Sequence, residues 1–295
     1  MTNMVVTGAA GYVGRHVTRV LLDLGHNVIA VTRPGSRRDI DPRARLVEAD
    51  ILVDDIDSML TFGAVPDVLV HLAWTDGFRH NARSHLEQLS AHFRFLTSMA
   101  DQGIGQIAAL GTMHEIGYWE GAIDESTPTA PLSLYGIAKD ALRRGLQTDL
   151  GDEVVFQWLR CFYIYGDDRN NQSIFTRLLD AADGHKTTFP FTSGTNKYDF
   201  ILVEELARQI AAVVSQQEIG GIINCCSGTP VSLAEQVEAF IAHNELPLSL
   251  EYGAFPDRPY DSPGVWGDAT LINEIMKRSV TSTSTGDSGD QPHGV

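Results

Sequence analysis

Tyr135 and Lys139 stand four positions apart in Ser133-Leu134-Tyr135-Gly136-Ile137-Ala138-Lys139, the spacing at which two side chains share one face of a helix. A phenol with an ordinary pKa near ~10 is a poor acid or base at neutral pH, but an ammonium beside it favours the phenolate and brings proton exchange within reach. Thr112 closes the apolar run Gln106-Ile107-Ala108-Ala109-Leu110-Gly111-Thr112 and adds a hydroxyl able to hold and polarise a substrate oxygen. The trio suits proton transfer to or from a carbinol or carbonyl. Each member is ordinary alone, since Tyr and Lys four apart recur on many helices and a Thr at a strand end often satisfies backbone groups.

A second stretch, Thr7-Gly8-Ala9-Ala10-Gly11-Tyr12-Val13-Gly14, supplies what the trio would need. Asn3 to Thr7 is a short β-branched, apolar run, and from Tyr12 onward Val13, Val17, Val20, Leu21 and Leu24 recur at helical spacing. The glycines therefore sit at a strand-to-helix turn. Gly8 permits the tight turn, Gly11 lets the backbone approach a diphosphate, and Gly14 lets the helix pack closely on the strand. The free N–H groups at the helix start, from Tyr12 and Val13 onward, favour the anion. Glycine-rich turns also serve as mere chain reversals, and the flanking strand and helix are what favour a dinucleotide. Together the two stretches read as nicotinamide-dependent chemistry on a carbinol or carbonyl.

The end of the next strand, Asn27 to Val31, reports on the cofactor. An NAD site usually places Asp or Glu there for the ribose hydroxyls, whereas this chain has Thr32-Arg33-Pro34-Gly35-Ser36-Arg37-Arg38. Arg33, nearest the strand end, favours the 2′-phosphate of NADPH within a general NAD(P)H expectation. Arg37 and Arg38 read equally well as solvated surface charges. Ala44 to Ile51 is expected as a third strand, with Asp50 facing the adenine amino group and Ile51 beside it. Asp67 to Trp74 is a near-continuous apolar run of the kind buried on both faces of a parallel sheet, so its end, Leu72-Ala73-Trp74, should reach the cofactor. His85 to Ala100 is expected as the following helix.

Strands alternating with helices predict an α/β fold, a Rossmann-type doubly wound parallel sheet with a smaller C-terminal substrate-binding lobe. The expected division is 1–166 for the dinucleotide-binding unit, with segments near 199–203 and 221–227 returning to it. Residues 167–277 would form mainly the lobe, and 278–295, rich in Ser, Thr, Gly and Asp, a disordered tail. The 295 residues suffice for one core with a smaller lobe, and the formal net charge of −16 disfavours a nucleic-acid partner. Three cysteines, Cys161, Cys225 and Cys226, have no zinc-site spacing and read as buried thiols of a reducing, cytoplasmic compartment. No metal site and no membrane partner are expected.

Taken together, the glycine turn, His71-Leu72-Ala73-Trp74, the Thr112 strand end and the Tyr135/Lys139 pair resemble an extended short-chain dehydrogenase/reductase of the NAD(P)-dependent epimerase/dehydratase family, whose members act on nucleotide-linked sugars. The resemblance runs from Asn3 to about Met276. It implies Thr112, Tyr135 and Lys139 as catalytic residues, with Lys139 lowering the Tyr135 pKa and holding the nicotinamide ribose. Arg160-Cys161-Phe162-Tyr163-Ile164-Tyr165-Gly166 resembles the segment leading into the substrate lobe, and Tyr198-Asp199-Phe200-Ile201 the one returning from it. Many relatives carry Asn where this chain has Tyr163.

Dehydratases of the family follow the Thr with Asp and Glu, whereas here Met113-His114 follow Thr112 and Glu115 comes one place too late. Gly111 to Gly121 is most similar to reductases of 4-keto-6-deoxy sugars, which implies hydride delivery to C4 of a dTDP-4-keto-6-deoxyhexose. Thr112, Met113, His114, Tyr163, Asn171, Ser173 and Arg258 are the expected substrate contacts. Relatives are often homodimers. Two other readings stay open: an epimerase that retains its NAD(P), and a non-catalytic NADP-binding regulatory protein.

Overall fold

The computed structural model describes residues 1–36, 39–53, 64–166, 169, 171–256 and 262–285, the last five as backbone only. In chain order the first half holds β1 (Asn3–Thr7), α1 (Gly14–Asp23), β2 (Asn27–Thr32), β3 (Arg45–Glu48), β4 (Val68–His71), α2 (Ser84–Glu87), α3 (Leu89–Asp101), β5 (Gln106–Thr112), a 3₁₀ turn (Met113–Glu115), β6 (Gly121–Ile123) and α4 (Leu134–Asp149). The second half holds β7 (Val155–Cys161), β8 (Tyr163–Tyr165), α5 (Ile174–Asp183), β9 (Thr188–Pro190), β10 (Lys197–Leu202), α6 (Val203–Val214), β11 (Gly221–Cys225), β12 (Pro230–Ser232), α7 (Leu233–His243), β13 (Ser249–Glu251), β14 (Gly264–Gly267) and α8 (Thr270–Thr285).

Among the described residues seven parallel strands form one sheet in the order β11-β7-β5-β4-β1-β2-β3, as the alternating pattern predicts. Every residue of β4 is buried, because helices cover both faces and leave no polar side. On one face Val17 and Leu21 of α1 join Leu206 and Ile210 of α6; on the other Phe95, Leu96 and Met99 of α3 join Leu142 and Leu146 of α4. The strand order reverses between β1 and β4, and the crevice beyond their carboxyl ends is where such sheets take ligands.

A second sheet is gathered from distant pieces, in the order β12-β10-β14-β6, with β8 also on β10. This corrects one boundary. Segment 221–227 does rejoin the large sheet through β11, but β10, expected to return there near 199–203, pairs instead with β8, β12 and β14. The reason lies in Asp199, fully buried in β10, whose Oδ1 accepts from Ser227 N at 2.8 Å and Ser227 Oγ at 2.7 Å, while Oδ2 accepts from Gly228 N at 2.9 Å and Gly267 N at 3.1 Å. One carboxylate thus ties the second sheet to the exit of β11.

Three further differences are seen, the first two with local causes. The helix expected over His85–Ala100 breaks at Gln88, whose side chain accepts a hydrogen bond from Thr75, leaving α2 and α3 as separate pieces. The third strand is shorter than Ala44–Ile51, because Asp50 turns its Oδ1 back to accept from Leu52 N at 3.0 Å. And α8 continues to Thr285, into the segment expected as a tail from Arg278, whereas 286–295 lie outside the described residues.

Asp199→Asn would turn amide donors toward backbone N–H groups that need acceptors. A loss of about 3 kcal/mol in urea unfolding is expected, since charged hydrogen bonds contribute about 1.5–3 kcal/mol each. An unchanged midpoint would remove Asp199 as the tie between the sheets.

Candidate active site

The glycine turn has no room for side chains. A Cβ on Gly14 would stand 2.1 Å from the Gly8 carbonyl oxygen, one on Gly8 would stand 2.7 Å from Ala73 N, and Gly8 itself has φ +69°. The first turn of α1 carries no acidic residue and no side-chain cap, so its N–H groups are presented to an incoming anion. Thr7 binds β1 to β4 here: its carbonyl accepts from Leu72 N at 3.2 Å and its Oγ1 from Ala73 N at 3.4 Å. Gly8, Gly11, Tyr12, Val13, Gly14, Leu72, Ala73 and Trp74 are therefore brought together, and this closed backbone cradle fits a dinucleotide diphosphate. Farther out, Arg33 is exposed at the end of β2, and Ile51 is buried just past β3. Arg37 and Arg38 lie outside the described residues.

The three residues expected to carry proton chemistry meet at the end of β5. Ser133 caps α4, its Oγ accepting from Gly136 N at 3.1 Å, so Tyr135 and Lys139 share the inward face as their spacing predicts. Gly136 is required for this approach, because a Cβ there would meet the His114 carbonyl oxygen at 2.3 Å. Thr112 Oγ1 accepts from His114 N at 3.2 Å, which fixes the 3₁₀ turn and leaves the hydroxyl proton to point elsewhere. That proton goes toward Tyr135, and the bond lowers the phenol's pKa, although burial is the larger effect and pushes it well up.

Lys139 is placed differently from expectation. Its Nζ donates to the Leu110 carbonyl at 2.7 Å and lies 3.8 Å from the centre of the Trp74 indole, and burial pulls its pKa down to about 7. In this arrangement the group that lowers the Tyr135 pKa is the Thr112 hydroxyl; the Lys139 ammonium is engaged by a carbonyl and an aromatic face.

Beneath the trio Glu115 is turned inward. Its carboxylate accepts from Arg160 Nε at 2.5 Å and from Trp158 Nε1 at 2.9 Å, with all three side chains fully buried. It cannot act on a substrate.

Among the expected substrate contacts His114 lies next to Tyr135 and Tyr163, with ring centres 6.2 Å and 6.3 Å away, and burial and His80 push its pKa down to about 3. It is a neutral imidazole. Met113 is buried beneath it, and Tyr163 packs on Tyr198 at 4.4 Å. Asn171 and Ser173 are spent largely on the start of α5: Asn171 Oδ1 accepts from Ser173 N at 2.9 Å and Thr176 Oγ1 at 2.7 Å, and Ser173 Oγ accepts from Thr176 N at 3.4 Å. Arg258 lies outside the described residues. The sequence reading missed two histidines against Tyr135: His80, stacked at 5.5 Å, and His85, at 5.2 Å. The signal available was crowding, since five of the ten histidines fall between His71 and His114.

The profile of the NAD dependent epimerase/dehydratase family matches residues 4–226. A dTDP-6-deoxy-L-talose 4-dehydrogenase (NAD(+)) from Aggregatibacter actinomycetemcomitans is 44% identical over 272 residues, covering 90% of this chain and 99% of its own length. Among solved structures, a UDP-N-acetylglucosamine 4-epimerase from Methanobrevibacter ruminantium superposes with TM-score 0.78 at 19% identity, over 93% of this chain and 91% of its own. A UDP-glucuronic acid 4-epimerase from Bacillus cereus, solved with UDP-4-deoxy-4-fluoro-glucuronic acid and NAD, gives 0.78 at 21%, over 93% and 92%. Those two likenesses establish the shared fold. With its glycine cradle, its Thr112, Tyr135 and Lys139 constellation and these matches, the chain belongs to the NAD-dependent epimerase/dehydratase family of nucleotide-sugar enzymes.

Proposed function

We propose that this protein uses NAD(P)H to reduce the C4 keto group of a dTDP-4-keto-6-deoxy-L-hexose, giving dTDP-6-deoxy-L-talose. The observation that carries this reading is the join of Thr112, Tyr135 and Lys139 in one site with the near full-length likeness to an enzyme of that name. The inward turn of Glu115 onto Arg160 supports reduction over elimination, because no carboxylate follows Thr112 into the pocket. Free, buried Cys161, Cys225 and Cys226 fit a reducing compartment, the cytoplasm. Among the described residues no helix is long and apolar enough to cross a membrane.

The bound nicotinamide would supply the hydride to C4. Tyr135 gives its proton to the alkoxide formed there, and the burial that raises its pKa keeps that proton in place until it is needed. Thr112, its oxygen held by His114 N, directs its hydroxyl proton at Tyr135, orienting the phenol and then stabilising the phenolate. Lys139, its pKa held near 7 by burial, faces the ribose. His114 and Tyr163 flank the sugar, neutral imidazole and phenol being suited to hydroxyl groups. Arg33 reads the 2′-phosphate of NADPH.

Adding dTDP-4-keto-6-deoxy-L-mannose to the protein with NADPH, and separately with NADH, is expected to oxidise the cofactor stoichiometrically and yield a new deoxyhexose, faster with NADPH. Cofactor binding without oxidation would point to an epimerase or a non-catalytic binder. Tyr135→Phe should slow turnover by about 10²–10⁴-fold, the usual worth of a positioned proton donor, and leave cofactor binding in place. A variant that turns over normally would remove the phenol from the mechanism.

Lys139 also makes stability depend on pH with an unusual sign. Its pKa lies near 7 in the folded chain and near 10.5 in the unfolded one, so between these values the unfolded state binds more protons. The contribution of Lys139 should rise with pH across that window by up to about 1.4 kcal/mol per unit, and below it the buried charge is a full cost. Urea unfolding of the protein and of Lys139→Met, compared from about pH 6 to about pH 9, should show the slope only in the parent. Equal slopes would mean that Lys139 keeps its proton.

A further inference from the structure

His85 is almost completely buried on α2, and both its ring nitrogens are committed. Trp74 Nε1 donates to Nδ1 at 3.0 Å, and Nε2 stands 3.1 Å from the Arg79 carbonyl oxygen. An indole N–H can only donate and a carbonyl can only accept, so the ring is the neutral tautomer with its proton on Nε2. A single imidazole therefore grips a side chain with one nitrogen and a loop backbone with the other.

Both grips lead to the proton chemistry. The indole held by Nδ1 covers one side of Lys139 Nζ at 3.8 Å and is stacked on His92 at 4.4 Å, with an angle of 18° between the rings. Since the π face accepts no conventional hydrogen bond and the Leu110 carbonyl takes one ammonium proton, the remaining Lys139 donors are confined to the pocket side. The carbonyl held by Nε2 belongs to the loop between β4 and α2, whose His80 is stacked on Tyr135 and accepts the Tyr135 backbone N–H at 2.9 Å. That loop contains Asp76 at φ 54°, a left-handed conformation that strains a non-glycine residue and persists only where the surroundings enforce it. Ser84 Oγ to Asp76 Oδ2 at 2.7 Å and Arg79 N to the Asp76 carbonyl at 2.7 Å do part of this, and both lie beside the His85 contact.

We propose that His85 is a positioning residue, a clamp that fixes the Trp74 indole as a rigid wall beside Lys139 so that the lysine's free donors meet the nicotinamide ribose of the dinucleotide. The inference rests on the cofactor lying in the crevice between β1 and β4, and is independent of which sugar is reduced. The wall does not swing when the cofactor enters; Trp74 keeps its bond to His85 with and without it.

The test uses protein labelled with ¹⁵N in its tryptophan indoles, the Trp74 signal being assigned with Trp74→Phe. His85→Phe keeps a ring but removes both bonds, and His85→Gln can restore both, its carbonyl accepting and its amide donating. In the parent and in His85→Gln the Trp74 indole proton is expected to resist solvent exchange with and without NAD⁺; in His85→Phe it should exchange freely. The NAD⁺ dissociation constant, read by calorimetry, should rise about tenfold in His85→Phe, the equivalent of one lost hydrogen bond, and recover in His85→Gln. Trp74→Phe should weaken NAD⁺ to a similar degree, which keeps the test decisive should His85→Phe fail to fold. A protected Trp74 signal in His85→Phe, unchanged NAD⁺ affinity in either phenylalanine variant, or a His85→Gln protein that recovers neither readout would overturn the clamp. None of these readouts involves a sugar, so failure of the reductase reading would leave them intact.

Discussion

The buried ion pair between Glu115 and Arg160 is the constraint from which the site is built. A carboxylate and a guanidinium without water are tolerable only when each finds near-complete partnership, and losing one partner of such a pair typically costs about 3–5 kcal/mol. The partnership is widely drawn: Trp158 donates to Glu115, and Arg160 Nη1 donates to the Asp124 carbonyl at 2.8 Å. Because Glu115 closes the turn that begins at Thr112, satisfying the charge fixes that turn against β7. Trp158 fits only because Gly111 lacks a Cβ, which would stand 2.2 Å from its indole nitrogen, and the same indole ring lies 6.0 Å from Lys139 Nζ. Thr112, Lys139 and the floor beneath them are therefore one mechanical unit.

Electrostatics follow from this dryness. Water is excluded from Lys139, His71 and His92, His114 is half-buried, and each is driven toward its neutral form by burial. His71 Nδ1 meets Thr7 Oγ1 at 2.9 Å and its Nε2 meets His92 Nδ1 at 3.0 Å, so even this inner pair is held as uncharged dipoles. A neutral His114 beside Tyr135 suits a reaction in which one proton and one hydride are delivered to an uncharged carbonyl.

Much of this was legible in the sequence because it is local. The strand, glycine turn and helix from Asn3 to Leu24 and the four-residue step from Tyr135 to Lys139 depend on neighbours a few positions away. What escaped depends on distance along the chain. Nothing near His85 announces that it will meet Trp74, and its place at the start of an amphipathic stretch hides it among helix residues. Likewise, the inward turn of Glu115 is decided by Arg160 and Trp158 on another strand. Asn171 and Ser173 carry polar groups that suit a ligand by type, yet the adjoining helix consumes much of their hydrogen-bonding capacity. The position of β10 depends on Asp199 finding donors after β11 and at the end of β14.

The strand order of the smaller sheet bears on how the protein comes off the ribosome. β14, which pairs with β10 on one side and β6 on the other, is made well after either, so β6 waits for nearly half of synthesis before its edge is covered. The large sheet from β3 to β7 can assemble early from nearly consecutive elements, whereas the smaller one must await a closure from β6 to β14 that spans nearly half the chain. A nascent chain stalled before Gly264 would hold its cofactor cradle and its Tyr135 helix but leave strands β6 and β10 with open edges. In the cell such an intermediate is the species that chaperones would recognise, and grafting the smaller sheet as a cassette from a relative would mean exchanging scattered segments together.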